Sequence, residues 1–288
     1  MGYLYAFTAF ALIGSYMVPT RFAAAKGMAF LPYMALGLLV LDLGLIPQVS
    51  VLWAHPVWFW GSILTGVLWA VGQGLANAAL AEISLAKASV FFNINSFINI
   101  AFGILVFHEA AGLKAYLLLL AGGILLSLGA WLVARVSASP KKEGNLKKGI
   151  TLSLLAGFFW AIYFVPVQWI QRGSEGDFTP ALALSGMILG GGIPSLLAAF
   201  PGGVRKGIVK DLGLGFLTAL LWLGGTLFFL KANQSLGLSR AVPIVNSSVL
   251  IYAGWSLFFK ELPLAQWPKV LGGALTVAAG VLLMALSQ

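Results

Sequence analysis

LKAYLLLLAGGILLSLGAWLVA, residues 113–134, carries one charged side chain, Lys114, at its edge. A bilayer core takes roughly 20 predominantly apolar residues of helix to cross, and this run is long enough. Outward from it, nine more stretches read the same way: Tyr3–Thr20, Ala29–Val51, Val57–Ala81 and Ala88–His108 before it, and Gly149–Gln171, Phe178–Phe200, Leu212–Leu230, Ala241–Phe259 and Leu264–Leu286 after it. They are called spans 1 to 10 in chain order, with Leu113–Ala134 as span 5. Proline or charge marks the short connections, as at His55-Pro56 and Lys260-Glu261, and the longest connection is Val136–Lys148. Long apolar runs, rather than ten-residue alternation, argue for helices over a membrane β-barrel.

Composition agrees. The chain has 288 residues, 60% of them hydrophobic and 9% charged, where a soluble domain carries about 25% charge. So few polar groups cannot cover a water-facing surface. The absence of cysteine excludes disulfides, thiol catalysis and Cys-ligated zinc or iron–sulfur centres. A net charge of +9 fits cytoplasmic loops better than nucleic acid. The first stretch lacks a basic start, because Arg21 and Lys26 follow its apolar run, so it reads as a retained helix rather than a signal peptide. Of 17 Lys and Arg, 13 follow odd-numbered spans. The positive-inside rule then puts those loops in the cytoplasm and both termini outside.

The chain also repeats itself. Gly2, Tyr16, Val18 and Pro19 match Gly149, Tyr163, Val165 and Pro166 at an offset of 147. Thr65, Leu68, Trp69 and Asn93 match Thr218, Leu221, Trp222 and Asn246 at 153, and Leu105, Phe107 and Glu109 match Leu257, Phe259 and Glu261 at 152. The expected organisation is a first five-helix repeat over 1–135, a cytoplasmic linker over 136–148 and a second repeat over 149–288. Five is odd, so the second copy must enter the membrane inverted. The fold class is therefore all-α, ten transmembrane helices in an inverted 5+5 repeat. That is the architecture of secondary transporters, in which one site at the repeat interface opens to either side in turn. No HExxH, GxSxG or Walker A motif suggests an enzyme, a metal or another cofactor.

Ten spans in two halves, with Phe107-His108-Glu109 and Phe259-Lys260-Glu261 closing spans 4 and 9, resemble the drug/metabolite transporter superfamily. Gly66-Val67-Leu68-Trp69-Ala70-Val71-Gly72-Gln73 in span 3 resembles the signature of the bacterial glucose uptake family and its glucose/ribose porter relatives. The resemblance implies a bacterial inner-membrane sugar carrier, proton-coupled or facilitative. The alternative it leaves open is an EamA-type exporter of amino acids or other metabolites.

Polar residues inside the spans are the candidate site. Trp69, Gln73 and Asn77 recur every four residues and share one helical face. An indole can stack on a sugar's C–H face while amides exchange hydrogen bonds with its hydroxyls. Asn95 and Asn99 share a face of span 4; Trp160 and Tyr163, with Gln168 beyond them, lie in span 6; Trp222 is in span 8, and Asn246 and Tyr252 are in span 9. Both halves keep Asn93 and Asn246, which favours a structural role for that pair and makes the asymmetric Gln73, Asn77, Asn95 and Asn99 the better ligand candidates. All these candidates are uncharged, so the expected substrate is a small neutral hydroxylated solute, most simply a monosaccharide, rather than an anion that would need buried Arg or Lys. Asp42 is the sole ionisable residue near the middle of a span and the candidate for proton coupling; its repeat counterpart falls at about Gly190. Arg21, Lys87 and Arg240, at span ends, read as snorkelling cations. Pro19 and Pro166 mark paired helix breaks. Spans 5 and 10 have few polar groups and read as lipid-facing or as a homodimer contact.

Overall fold

A computed structural model describes residues 1–25, 27–83, 88, 91–92, 94–109, 112–134, 145–174, 176–197, 208–259 and 267–287. The regular structure among them is helical, with no strand. In chain order the α-helices are α1 (Gly2–Ile13), α2 (Leu31–Asp42), α3 (Ile46–Ala54), α4 (Pro56–Glu82), α5 (Ile94–Leu105), α6 (Gly112–Ala134), α7 (Leu146–Ile162), α8 (Val165–Gly173), α9 (Pro180–Leu197), α10 (Ile208–Leu236), α11 (Leu238–Asn246), α12 (Val249–Phe258) and α13 (Trp267–Ala285).

Among the described residues, six runs are long and apolar enough to cross a bilayer: Pro56–Ala79, Gly112–Leu132, Leu146–Gly173, Pro180–Leu197, Ile208–Leu236 and Trp267–Met284. They correspond to expected spans 3, 5, 6, 7, 8 and 10. The expected spans 1, 2 and 4 contain shorter apolar helices, Gly2–Ile13, Leu31–Asp42 and Ile94–Leu105. Span 9 is α11 followed by α12. Several segments read as continuous are thus interrupted, for local reasons. After α1 the chain turns and enters a 3-10 turn at Pro19–Phe22, because proline has no N–H to extend the ladder. Between α7 and α8 the turn at Tyr163-Phe164 precedes Pro166 in the first turn of α8. Segment 2 tightens to a 3-10 turn at Leu43–Leu45, and segment 9 breaks at Ser247-Ser248, just after the intrahelical Pro243.

A bilayer gives helices no hydrophobic reason to associate; close van der Waals approach does that work, so small residues line the contacts. The main pairings are α6 with α13, α4 with α9, α1 with α10, α4 with α7, and α2 with both α9 and α10. A Cβ added at Gly190 of α9 would lie 2.1 Å from the Ile63 carbonyl oxygen of α4, and one at Gly186 would lie 2.0 Å from Ser62 Oγ. Across α2 and α10, Gly37 faces the Phe216 Cα at 2.9 Å and Gly215 faces the Tyr33 carbonyl carbon at 2.5 Å. Gly2 abuts Leu236, and Gly149 abuts Ile83. A large core cluster runs from Ala6 to Val245, while Ile100, Leu119, Leu126, Val277 and Met284 form a smaller one beside α6 and α13.

The ends of the bundle are tied by carboxylates. Buried Asp211, at the start of α10, accepts hydrogen bonds from the Ala24 and Ala25 amides at 2.7 and 2.8 Å. At the other end of α10, Glu109 accepts from the Leu238 and Ser239 amides at 2.9 and 2.8 Å, satisfying the open N–H groups at the start of α11. Gly237 precedes them at φ +79°, and a Cβ there would fall 2.4 Å from Glu109 Cδ. Both the dihedral and the space therefore require glycine.

Candidate functional site

Trp69 of α4 and Trp222 of α10 meet in the middle of the molecule. Both are buried, with ring centroids 4.7 Å apart and planes at 46°. One turn beyond Trp69, buried Gln73 donates from Nε2 to Asn77 Oδ1 at 3.2 Å and accepts from the Tyr16 hydroxyl at 3.5 Å through Oε1. The four-residue spacing does put Trp69, Gln73 and Asn77 on one face. Tyr16 reaches them because helix α1 ends at Ile13 and the chain turns inward. Thr226, buried, stands one turn beyond Trp222.

A second polar group joins α5 to α11. Asn246 Nδ2 donates to Asn95 Oδ1 at 2.7 Å and Ser96 Oγ at 3.2 Å, and Asn99 Nδ2 donates to the Asn95 carbonyl at 2.8 Å. Trp160 sits between the groups. Its ring covers the bare backbone of Gly72, which leaves only 2.6 Å between a Cβ there and Trp160 Cδ1, and its other side meets Phe92 edge-on at 5.1 Å. Tyr163 marks the α7–α8 break and packs on Phe164 at 3.8 Å. Two buried polar atoms in this region have no hydrogen-bond partner among the described residues: Trp160 Nε1 and Asn99 Oδ1. Leaving each unmet costs about 1–3 kcal/mol, and a ligand hydroxyl could satisfy either. Asn93 and the side chain of Tyr252 lie outside the described residues.

Asp42 belongs to neither group. It is buried at the end of α2 and accepts from the Ser185 hydroxyl of α9 at 2.8 Å. Arg240 departs from the snorkelling expectation. It is 8% exposed and donates to Ser287 Oγ and the Ser287 carbonyl at 3.1 Å each and to the Leu236 carbonyl at 3.3 Å. Its partners, at the end of α10 and beyond α13, draw the guanidinium inward. Arg21 lies over the Phe259 ring, 4.3 Å from the centroid; Lys87 lies outside the described residues. At the edge of α4, Glu82 accepts from Lys148 Nζ at 2.6 Å and the Asn145 amide at 2.9 Å, and these bonds, the lysine's first, hold its carboxyl below the usual range.

One feature escaped sequence reasoning. A cavity of about 660 Å³ opens where α8 and α10 end and α11 begins, lined by amide side chains and by Glu109 and Arg172. Arg172 pairs with Glu109 Oε1 at 2.9 Å and also donates to the Phe107 carbonyl. Asn233 Nδ2 donates to Gln168 Oε1 at 2.5 Å. Gln168 and Gln171, three apart after the Pro166 break, were the available signal, with Asn233-Gln234 facing them from another helix.

Apolar helices broken around a buried polar centre, with a polar recess at one end, define a multi-pass membrane carrier. Comparison with known proteins makes this specific: the profile of the family described as "Sugar transport protein" matches residues 18–286, and the chain belongs to that family of transporters, which are not enzymes. "Glucose uptake protein GlcU" of Bacillus subtilis is 24% identical over 229 residues, 77% of this chain and 74% of its own length. "Probable glucose uptake protein GlcU" of Priestia megaterium is 24% identical over 228 residues, 75% of this chain and 74% of its own. A solved crystal structure superposes on 99% of this chain and 97% of its own with a TM-score of 0.66 at 13% identity, a likeness of fold alone. The resemblance to the glucose uptake family read from span 3 therefore holds.

Proposed function

We propose that this chain carries a neutral monosaccharide of the glucose class across the bacterial cytoplasmic membrane by alternating access. The observation that carries the reading is the buried, uncharged centre: a tryptophan pair beside Gln73, Asn77 and Tyr16, with Trp160 and Asn99 holding unmet polar atoms nearby. Indole faces and amides match a pyranose, and among the described residues no buried cation in that centre calls for an anion. The relatives' names point the same way, and none of those reported names an exporter of amino acids.

The ten-span inverted repeat, with halves 1–135 and 149–288, is part of the proposal. It is supported by contacts that recur in exchanged pairs. Gly190 on Ile63 recurs as Gly37 on Phe216, and Gly186 on Ser62 as Tyr33 on Gly215, each partner displaced by 153 residues. Trp69 meets its own counterpart, Trp222, ring against tilted ring. At that spacing Asp42 answers to buried Ser195 rather than to Gly190, so the carboxylate still has no twin. Proton coupling is assigned to Asp42 within the same proposal, with both termini outside.

The test is a thermal-shift screen of the purified protein with D-glucose, other neutral sugars and amino acids, followed by counterflow of labelled glucose in proteoliposomes. A ligand that binds the folded state raises the melting temperature by mass action. Stabilisation by a sugar that Gln73→Ala weakens supports the reading; stabilisation by amino acids and by no sugar sinks it. For Asp42→Asn, glucose counterflow should persist while stimulation by an inward proton gradient disappears; a gradient response equal to wild type removes Asp42 from that role.

A further inference from the structure

The end cavity is not part of the central cluster, yet it carries the same side-chain amides. From the geometry we infer that it is a second sugar-binding site, a vestibule that takes a neutral, hydroxyl-rich solute before the solute reaches the tryptophan pair. The inference rests on the sugar-carrier reading for its ligand class.

Its volume of about 660 Å³ lies within the range of small-molecule pockets, about 300–1,000 Å³. What it offers is unspent amide. Gln171 Nε2 and Oε1 and Asn233 Oδ1 are all buried and lack partners among the described residues. Together they present a donor and two acceptors, which is what a pair of vicinal hydroxyls can answer. Gln168 is already engaged by the Asn233 amide, which fixes the Asn233 side chain with its oxygen free. Gln234 is exposed on the rim.

The charges are committed elsewhere. Arg172 is bound to Glu109 and the Phe107 carbonyl. Glu109 is bound to two backbone amides of α11. Arg240 is taken up by Ser287 and the Leu236 carbonyl. A phosphate or carboxylate ligand would need a guanidinium that is free to fork onto it. A neutral polyol needs none, and it can use the amides without breaking the Glu109 tie. The lining holds no aromatic ring, so the vestibule lacks the stacking platform that the centre has. Capture there should be weaker than at Trp69 and Trp222.

The cysteine-free sequence makes the test direct. Gln234→Cys places one reactive thiol on the exposed rim, and its maleimide labelling rate in the purified full-length protein is measured with D-glucose, L-alanine or neither. The expected result is at least a fivefold slowing by saturating D-glucose and none by L-alanine. That protection should persist when Gln73→Ala is added, because the central site is not its source. It should vanish when Gln171→Leu is added, with Gln171→Met as a second variant should the leucine protein fail to fold.

Three results overturn the vestibule while leaving the sugar reading standing. One is wild-type protein stabilised by glucose but no slowing at the rim. Another is slowing that disappears with Gln73→Ala. The third is slowing that survives both Gln171 variants. If no neutral sugar stabilises the wild-type protein at all, the sugar-carrier reading fails, and the ligand class assigned to the vestibule fails with it.

Discussion

Two helix assemblies in this molecule solve the same packing problem in opposite ways. Helices α6 and α13 are each unbroken and lie against one another through backbone: a Cβ at Gly122 would be 2.8 Å from the Gly280 oxygen, and one at Gly129 would be 2.6 Å from the Gly273 oxygen. Outward, between Lys114 and Lys269 at their starts and their far ends, they show mainly apolar side chains, among them Leu117, Ile124, Leu275 and Leu282. The assembly built from α1, α4, α7, α10 and α11 also uses glycine contacts. However, its core holds Trp69, Gln73, Thr226 and Asn233, and three of its segments are interrupted at Pro19, Pro166 or Ser247. Where helices need only stay together, small residues suffice; where a polar solute must be handled, the chain gives up regular backbone and buries amides.

Substitutions can break that contrast, and the largest effect falls where α9 meets α4 of the articulated assembly, backbone against backbone. Gly190→Val must displace the Ile63 carbonyl, and overpacking of this kind costs about 3 kcal/mol or more. The expected outcome is loss of the monodisperse species by size-exclusion chromatography. Next comes the chemistry without the scaffold. Trp69→Ala or Gln73→Ala should lower glucose counterflow at least about tenfold, a loss of about 1.4 kcal/mol, while the protein remains monodisperse. A fall in folded yield that matches the fall in transport would mean that these residues only pack.

The strut should show the reverse. Gly280→Val, facing the Gly122 oxygen at 2.7 Å, should lower the melting temperature by several degrees, in line with about 1–3 kcal/mol of overpacking. Counterflow per folded molecule should stay within about twofold of wild type, a difference under 0.5 kcal/mol. A large loss of transport there would show that α6 and α13 move with the rest.

The smallest effect belongs to Glu82. Its folded carboxyl lies below the ordinary value of 4.5, so between the two values the unfolded chain binds more protons. Its stabilising effect is complete above the unfolded value and is lost as pH falls through the folded one. Glu82→Gln should flatten the acid limb of melting temperature against pH and leave the neutral range nearly unchanged, since Lys148 is largely exposed.

How much of this was legible depended on whether the property is local. Hydropathy is, so Leu113–Ala134 and the other long runs declared a membrane protein at once. Proline chemistry is also local, which is why the interruptions at Pro19 and Pro166 could be expected. The face shared by Trp69, Gln73 and Asn77 followed from helical spacing. What could not be read were bonds between distant parts of the chain. Glu109 serves amides 129 and 130 residues away, and nothing near it in sequence signals that. Arg240 looked like a lipid-facing cation until its partners beyond α13 were seen. The vestibule needs α8 and α10 to end at the same level, a consequence of tertiary packing that no single segment carries.

The tilted indole pair of Trp69 and Trp222 has an optical consequence. At 4.7 Å and 46° their transition dipoles are close and skewed, the geometry that splits an absorption band into a signed pair in circular dichroism. Such coupling weakens with the cube of the separation. Parting the two rings by a few ångströms would weaken the signal several-fold, while the other eight of the ten tryptophans supply a steady background. The molecule thus contains an unlabelled spectroscopic gauge of the distance between the two rings at its centre.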